Sequence, residues 1–217
     1  MRNFVVAFAL ATFTFGFTTN ALAVAEFLGN KGADTPNITI GYQFYGFNNS
    51  EFKEVPQWLN GLQREARRFL RRELGLKLKL QLAYIARPIK DLESKIEDWK
   101  KATSTLSPFT ILRYLKDFFD RRYNTDIVCL VTKEPLYYTK TSNSLGYAIH
   151  STLCETEVPM LLTYNKNEVN ETGYHFGLLI RESIKNFEFR DWWSKTFEGK
   201  KKYFDNCNRY ILDTMKG

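Results

Sequence analysis

Residues 126–132, with the sequence DIVCLVT, constrain the fold of this chain more than any other stretch. Their apolar side chains follow one another without alternating with polar ones, which is typical of a strand that is covered on both faces of a sheet. Crossover helices provide such cover in sheets whose strands run mostly parallel. The stretch therefore predicts an α/β fold with this strand in the middle of the sheet.

Hydrophobic patterns predict the other elements in an order that fits such a sheet. Strands are expected at 37–45, 76–85, 145–150 and 158–164, and helices at 55–74, 107–122 and 172–189. Residues 89–102 are expected to form a short amphipathic helix or an ordered excursion. The early alternation of strands and helices implies parallel pairs, and the two adjacent short strands allow an antiparallel edge. We predict a mixed, mostly parallel twisted sheet with one antiparallel edge strand and flanking helices, in one domain.

Local signals also predict the orientation of two elements. Thr172 is the expected N-cap of helix 172–189. In strand 76–85, strict alternation places Tyr84 on the same face as the leucines and opposite the lysines. No regular element is expected within residues 46–50 or within the aromatic and basic stretch 192–202.

The first 23 residues have the features of a secretory signal. Arg2 and a short polar start precede an apolar run over residues 4–17, and Ala21-Leu22-Ala23 supplies a small–x–small cleavage pattern. A membrane anchor is the alternative, but the run is short for a bilayer and is interrupted by threonine and glycine. We expect a secreted, extracellular protein of residues 24–217 with no membrane span.

Secretion would make disulfide formation and N-glycosylation possible. Of the three cysteines, Cys129 lies in the apolar stretch and is the expected buried thiol. Cys154 and Cys207 have polar surroundings and are the expected disulfide, with an intermolecular bond through the odd thiol as the alternative. The glycosylation sequons begin at three asparagines, Asn37, Asn48 and Asn170.

The formal charge of +7 raises the question of an anionic partner. The candidate polyanion-binding residues are Arg64, Arg67, Arg68, Arg71, Arg72, Lys77, Lys79, Lys200, Lys201 and Lys202. A solvated surface is the simpler interpretation, because 24 acidic residues are interspersed along the chain. Binding to a heparin-like glycosaminoglycan stays as an alternative function, and segment 191–204 could grip an anionic partner. We expect no nucleic-acid partner.

Several short motifs follow one another in a specific order. Tyr123-Asn124-Thr125-Asp126 leads into the buried strand, Gly146-Tyr147-Ala148 leads to Cys154, and Cys207 precedes Tyr210-Ile211-Leu212. In this order they resemble the motifs of the reprolysin-like metalloproteases of tick saliva, which belong to the metzincin clan of zinc proteases. The resemblance implies a metzincin-like fold, and it also implies that Cys154 pairs with Cys207.

This sequence lacks the zinc-binding motif that the family carries on the corresponding helix. The motif H-E-x-x-H-x-x-G-x-x-H supplies three imidazole ligands and a glutamate that takes a proton from bound water. One register places its five positions on Leu179, Ile180, Ser183, Asn186 and Phe189. A second register places them on Tyr174, His175, Leu178, Arg181 and Ile184. Neither register puts a metal ligand where one is required, and Leu212 replaces the methionine of the turn.

We therefore expect no catalytic residue, no metal site and no cofactor. The resemblance implies a secreted, non-catalytic protein that binds a host protein. An active zinc metalloendopeptidase with an atypical ligand set is the alternative, with His150, His175 and Glu182 as its candidate zinc ligands. Other catalytic classes lack their signatures, because no serine has a G-x-S-x-G setting and no glycine-rich phosphate loop occurs.

Overall fold

The structure is a computed structural model that describes residues 35–102, 107–119, 125–133 and 145–207. Within them, the strands are β1 (Asn37–Tyr45), β2 (Lys79–Ala86), β3 (Ile127–Thr132), β4 (Gly146–Ala148) and β5 (Val158–Thr163). The helices are α1 (Asn49–Phe52), α2 (Val55–Leu74), α3 (Lys90–Ala102), α4 (Pro108–Phe119), α5 (Val169–Glu182), α6 (Phe189–Ser194) and α7 (Phe197–Tyr203). The signal predicted at 1–23 and the motif at 210–212 lie outside the described residues, as does the first half of motif 123–126.

The strands form one sheet in the order β2-β1-β3-β5-β4. Four of them run parallel, and β4 lies at one edge, antiparallel to β5. β3 is the middle strand and all of its residues are buried, as its unbroken apolar sequence predicts. The predicted α/β class is confirmed: the sheet is mixed and mostly parallel, has one antiparallel edge strand and is flanked by helices.

Helices cover both faces of the sheet. On one face, α2 and α5 pack against Ile40 and Tyr42 of β1 and their neighbours. On the other face, α3 and α4 pack against Val128 and Leu130 of β3. Both sides of the central strands are therefore removed from water, and this burial of apolar surface favours the folded state.

Parallel strands place all their ends at two opposite edges of the sheet. We call the edge formed by the residues that follow the strands (46–54, 133 and 164–168) the carboxyl edge. The amino edge is formed by the residues that precede them (35–36, 75–78, 125–126 and 151–157). Because α2 and α5 each follow a parallel strand, both begin at the carboxyl edge and end at the amino edge.

Asp126 holds β1 and β3 together at the amino edge. Its carboxylate accepts hydrogen bonds from the main-chain nitrogen and from Oγ1 of Thr39, both at 2.7 Å. The main-chain nitrogen of Asp126 in turn donates to Oγ1 of Thr39 at 3.1 Å. Both residues are buried, so these bonds satisfy polar groups that would otherwise be costly to remove from water. The aspartate of motif 123–126 thus has a structural role in this chain.

Two glycines bring the backbones of α5 and α2 into contact. A Cβ at Gly173 would lie 2.7 Å from the main-chain oxygen of Leu62, and a Cβ at Gly177 would lie 3.1 Å from that of Ala66. Such distances are shorter than van der Waals contact. The position of α5 relative to α2 therefore depends on the absence of side chains at 173 and 177.

The predicted start of α5 is wrong by three residues. α5 begins at Val169 and its N-cap is Glu168. Thr172 is fully buried, and its hydroxyl donates a hydrogen bond to the main-chain oxygen of Glu168 at 3.0 Å. A threonine that bonds back to the preceding turn lies inside the helix, so its side chain is not the cap. α5 also ends at Glu182, well before residue 189.

The predicted face of Tyr84 is wrong because β2 contains an irregularity. The β1–β2 register shifts between Ile40 and Gly41, so that Ile40 is opposite Leu82 but Gly41 is opposite Tyr84. The ring of Tyr84 lies over Gly41, on the face opposite to Ile40 and Leu82. One extra residue in a strand reverses the side to which later side chains point, and strict alternation does not reveal it.

Three short helices lie where no regular element was predicted. α1 follows Asn48, which forms a capping box: its side chain accepts from the main-chain nitrogen of Glu51, and the Glu51 carboxylate accepts from that of Asn48. An asparagine followed three residues later by glutamate is a signal that the sequence contained. α6 and α7 are too short for their apolar residues to show a period.

Candidate functional site

The candidate site lies where α5 faces the side of β4 that is turned away from β5. The nitrogen of Thr163 in β5 donates to the oxygen of Leu145 at 2.9 Å, so residue 145 forms a hydrogen-bonded pair with β5. Pairing alternates along antiparallel strands. The main-chain groups of Gly146 and Ala148 therefore point away from β5.

His175 connects α5 to this outward side of β4. Its Nε2 donates a hydrogen bond to the main-chain oxygen of Gly146, with 3.0 Å between the two atoms. The side chain of His175 is half-buried. An outward-facing carbonyl at a sheet edge can accept a hydrogen bond from another element, and here the imidazole of His175 donates one to it.

One turn further along α5, the inner side of the helix is filled by apolar packing. Leu179 is buried, and its Cδ1 would lie 3.1 Å from a Cβ placed on Gly146. Ser183, directly after α5, is also buried, and its hydroxyl donates to the main-chain oxygen of Leu179 at 2.8 Å. The main-chain oxygen of Ser183 accepts from the nitrogen of Leu153 at 2.9 Å. These groups have their partners within the fold.

The remaining positions of the two motif registers differ in their surroundings. In the first register, Phe189 is exposed, whereas Asn186 has a left-handed backbone with φ of +51°. In the second register, Arg181 forms a 3.0 Å ion pair with Glu73, and Ile184 is buried in the core.

The three candidate ligands of the alternative zinc site make separate contacts. His175 bonds to Gly146, and Glu182 lies 3.6 Å from the guanidinium of Arg181. His150 has no hydrogen-bond partner for its buried Nε2 among the described residues, and its pKa is lowered by burial and by the charge of Lys116. In the described part of the chain, no group of three or more histidine, cysteine, aspartate or glutamate residues is arranged to hold a metal ion.

Cys154 and Cys207 form a disulfide that closes a loop of 53 residues. Cys154 is in the loop before β5, and Cys207 follows α7, so the bond fixes the end of the described chain to the amino edge. Cys129 is buried in β3 as a free thiol, and burial raises its pKa well above the ordinary value. A thiol in that state is a poor nucleophile.

The three sequon asparagines lie in different surroundings. Asn48 and Asn170 are exposed, and both lie at or next to the carboxyl edge, before α1 and in the first turn of α5. Asn37 begins β1 at the amino edge, is half-buried, and donates from Nδ2 to Oε1 of Gln81 in β2.

The predicted polyanion-binding residues do not form one unpaired surface. Several arginines of α2 have glutamate partners: Arg64 and Arg68 contact Glu65 at 3.1 and 2.7 Å, and Arg72 contacts Glu73 at 3.5 Å. Such pairs on a surface contribute little to stability, but they reduce the net charge that a polyanion meets. Arg67 is half-buried, and Arg71, Lys77 and Lys79 are exposed.

The three consecutive lysines of α7 also differ from one another. Lys200 is only 6 % exposed, and its Nζ lies 4.0 Å from the ring centre of Trp193. Lys201 pairs with Glu198 at 3.6 Å, and Lys202 is exposed.

A second surface of interest, which we call the amino-edge patch, consists of Arg71, Lys77, Phe189, Trp193, Phe197 and Lys200. Its three aromatic rings are 57 %, 44 % and 57 % exposed. The aromatic and basic composition of segment 191–204 is visible in the sequence, but which of its rings face solvent depends on the fold.

Among the described residues, no helix combines the length and the apolar character that a bilayer crossing requires.

No family model matches this chain, and no curated protein matches it. One solved structure, described as "Structure of a chaperone-substrate complex", is similar to it with 14% sequence identity and a TM-score of 0.36. The similarity covers 65% of this chain and 23% of that chain, so this chain spans less than a quarter of the other's length. A likeness of this size carries no inference about function.

Proposed function

We propose that this chain is a secreted, glycosylated protein with a metalloprotease-like scaffold, and that it acts by binding another protein. The observation that carries the proposal concerns the side of α5 that faces β4, where side chains other than histidine occupy the motif positions. Leu179 packs against Gly146, and the hydroxyl of Ser183 is bonded to the backbone of the helix. A metzincin protease needs imidazoles at these motif positions to bind its zinc ion. If the protein is salivary, as the resemblance implies, its partner is a host protein.

The chain path favours the first motif register over the second. Its glycine position falls on Asn186, whose left-handed φ of +51° is a conformation that glycine adopts freely and asparagine tolerates. The second register would place the glycine on Arg181, inside α5, where the helical backbone has no need of one. In the first register, Leu179 and Ser183 stand at the first two ligand positions and Ile180 stands at the position of the glutamate.

Apolar packing can also replace a bound ion as the source of stability at this position. Leu179 and Ile180 are buried, and burying a side chain of this kind contributes about 1.5–3 kcal/mol. This packing can stabilise α5 in its position without a bound metal ion. A binding protein needs no more than that, whereas a metalloprotease also needs the metal for catalysis.

The proposal is tested by assaying the purified chain for peptide hydrolysis. With zinc present, we expect no cleavage of a mixed set of fluorogenic peptides beyond the background, with or without a chelator. Cleavage that a chelator abolishes would overturn the proposal, because it would require a working metal site.

A graft of ligands tests the register. The variant Leu179→His/Ser183→His/Phe189→His places three imidazoles at the ligand positions of the first register, and we expect it to bind zinc. The control Tyr174→His/Leu178→His/Ile184→His carries as many new histidines at the positions of the second register, and we expect it to bind zinc more weakly than the first variant. Circular dichroism shows whether both variants keep the fold. Zinc binding by the control alone would contradict the register.

A further inference from the structure

The amino-edge patch is held in a fixed arrangement by Trp192. The ring of Trp192 is buried against Phe187, Tyr203 and Phe204. Its Nε1 donates to the main-chain oxygen of Leu74 at 3.0 Å, at the end of α2. With Trp192 fixed in this way, the neighbouring Trp193 is directed outward.

The aromatic rings of the patch are close to one another and to the end of α2. The rings of Phe189 and Trp193 are 6.0 Å apart, centre to centre. A Cβ on Gly75, directly after α2, would lie 2.8 Å from the ring of Trp193. Exposed aromatic side chains held in one place are typical of protein interfaces, where they lose little conformational entropy on binding.

The charged side chains of the patch are all cations. Among the described residues, Arg71, Lys77 and Lys200 make no ion pair, unlike the arginines on the outer side of α2. The ammonium group of Lys200 lies over Trp193, and burial lowers the pKa of this group. An acidic group arriving at the patch would therefore meet two exposed cations, Arg71 and Lys77, that no described glutamate or aspartate already neutralises.

A groove crosses the patch beside Phe197. It has a volume of about 480 Å³, and its lining includes Arg71, Lys77, Leu76 and Phe197. A concave surface with an aromatic wall and two cations accepts a side chain together with a nearby carboxylate. A flat membrane surface would not fill it, and a sulfated polysaccharide would leave its aromatic wall without an apolar partner.

We propose that the amino-edge patch binds an acidic peptide segment of a partner protein, with an apolar side chain of that segment in the groove beside Phe197. Carboxylates of the segment pair with Arg71 and Lys77, and its backbone passes over Trp193. This inference rests on the proposed binding function and names the surface and the chemistry of its partner.

The positions of the sequons fit this assignment. Asn48 and Asn170 are exposed at the opposite end of the molecule, so glycans there leave the patch open. Asn37 lies next to Pro36, which lines the groove, and its side-chain amide is bonded to Gln81. A glycan on Asn37 would be attached to the amide nitrogen that makes this bond and would cover the groove. The proposal therefore expects Asn37 to be unmodified in the secreted protein.

The test uses the full chain secreted from eukaryotic cells and a set of synthetic peptides. Each peptide is rich in glutamate and aspartate and contains leucine or tyrosine. A matched set has the same charge but serine in place of every leucine and tyrosine. Heparin fragments and vesicles of phosphatidylcholine with phosphatidylserine are the other probes. We expect the apolar acidic peptides to bind at least tenfold more tightly than the serine set.

Matched substitutions locate the site. Phe197→Ala should weaken peptide binding about tenfold, whereas Phe109→Ala, at a phenylalanine that is 53 % exposed on α4, should not. Lys77→Glu should weaken binding in the same way, whereas Lys90→Glu, at an exposed lysine that begins α3, should not. All four positions are exposed at the surface, so the variants are expected to fold.

Three results would overturn the inference: no peptide binds, the control substitutions weaken binding equally, or only heparin or vesicles bind. A glycan found on Asn37 by mass spectrometry would also count against it. These failures are distinguishable from failure of the proposed function, which is signalled by bound zinc or by chelator-sensitive hydrolysis in the same preparation.

Discussion

His175 donates a hydrogen bond from Nε2 to the main-chain oxygen of Gly146 across 3.0 Å, and this bond joins α5 to the outward side of β4. Gly146 has no side chain, which allows Leu179 to lie against the strand as well. The two contacts place a donor and an apolar side chain of α5 along the outward side of β4. The packing of Leu179 is part of the basis of the proposal that α5 does not hold a catalytic metal.

The bond between His175 and Gly146 should contribute measurably to stability. His175→Ala removes the donor of this bond, and a typical hydrogen bond contributes about 1 kcal/mol, so we expect a loss of that order in the free energy of unfolding. Glu171→Ala, one turn earlier on the exposed side of α5, is the control and should change it little. Urea denaturation of the three proteins provides the measurement. Equal stability of His175→Ala and wild type would show that the contact is not stabilising.

The close approach of α2 and α5 makes Gly173 sensitive to substitution. Gly173→Ala would place a Cβ 2.7 Å from the main-chain oxygen of Leu62, and overpacking of this kind costs about 1–3 kcal/mol. Alanine is favoured over glycine in a helix by about 1 kcal/mol, which offsets part of the loss. Thermal unfolding should therefore show a lower midpoint for the variant. A raised midpoint would contradict this expectation, because it would mean that α2 and α5 move apart to accommodate the methyl group without loss of stability.

Much of the fold was predictable because local patterns and tertiary packing agree. The observed bounds of β1 and α2 are those predicted, since Pro56 and Gly75 mark the helix ends chemically and Gly75 adopts the left-handed conformation of a C-cap. The prediction of Thr172 as the N-cap was wrong because a threonine hydroxyl can either cap a helix or bond back to the preceding turn. Only the packing of α5 on α2 decides between these two roles.

The candidate site was less predictable than the fold. The sequence indicates that motif ligands are missing, but it cannot show that Leu179 packs on Gly146 or that His175 bonds to the same glycine. Both contacts join residues about thirty positions apart and depend on the antiparallel pairing of β4. Which of Trp192 and Trp193 is buried likewise depends on a distant group, the main-chain oxygen of Leu74.

The disulfide between Cys154 and Cys207 should account for a large part of the stability. In the chain-entropy account, closing a loop of 53 residues stabilises the fold by about 4 kcal/mol. We expect Cys154→Ser/Cys207→Ser to lose stability of that order in urea denaturation under oxidising conditions. Wild type treated with a reductant is the control and should match the variant. A variant as stable as oxidised wild type would refute the account.

His150 should make stability depend on pH. Burial and the charge of Lys116 lower the pKa of His150 below its ordinary value of 6.5. The unfolded chain therefore binds a proton at this residue more readily than the folded chain, so stability is lost as pH falls below about 6.5. At high pH the residue is neutral in both states and contributes no such dependence.

The comparison of wild type with His150→Gln isolates this effect from other titrating groups. We expect wild type to lose stability relative to the variant as the pH is lowered from neutral to about 5. Urea midpoints measured across that range give the difference directly. A difference that stays constant with pH, or that grows in favour of wild type in acid, would contradict the assigned direction.

Elemental analysis of the purified, secreted chain tests the central claim most directly. The protein is produced in zinc-containing medium, dialysed without a chelator, and its zinc and protein contents are measured together. We expect no stoichiometric zinc, because Leu179 in α5 and Ser183 directly after it stand where imidazoles would be needed. One tightly bound zinc ion per chain would contradict this expectation and would favour the alternative, an active zinc metalloendopeptidase.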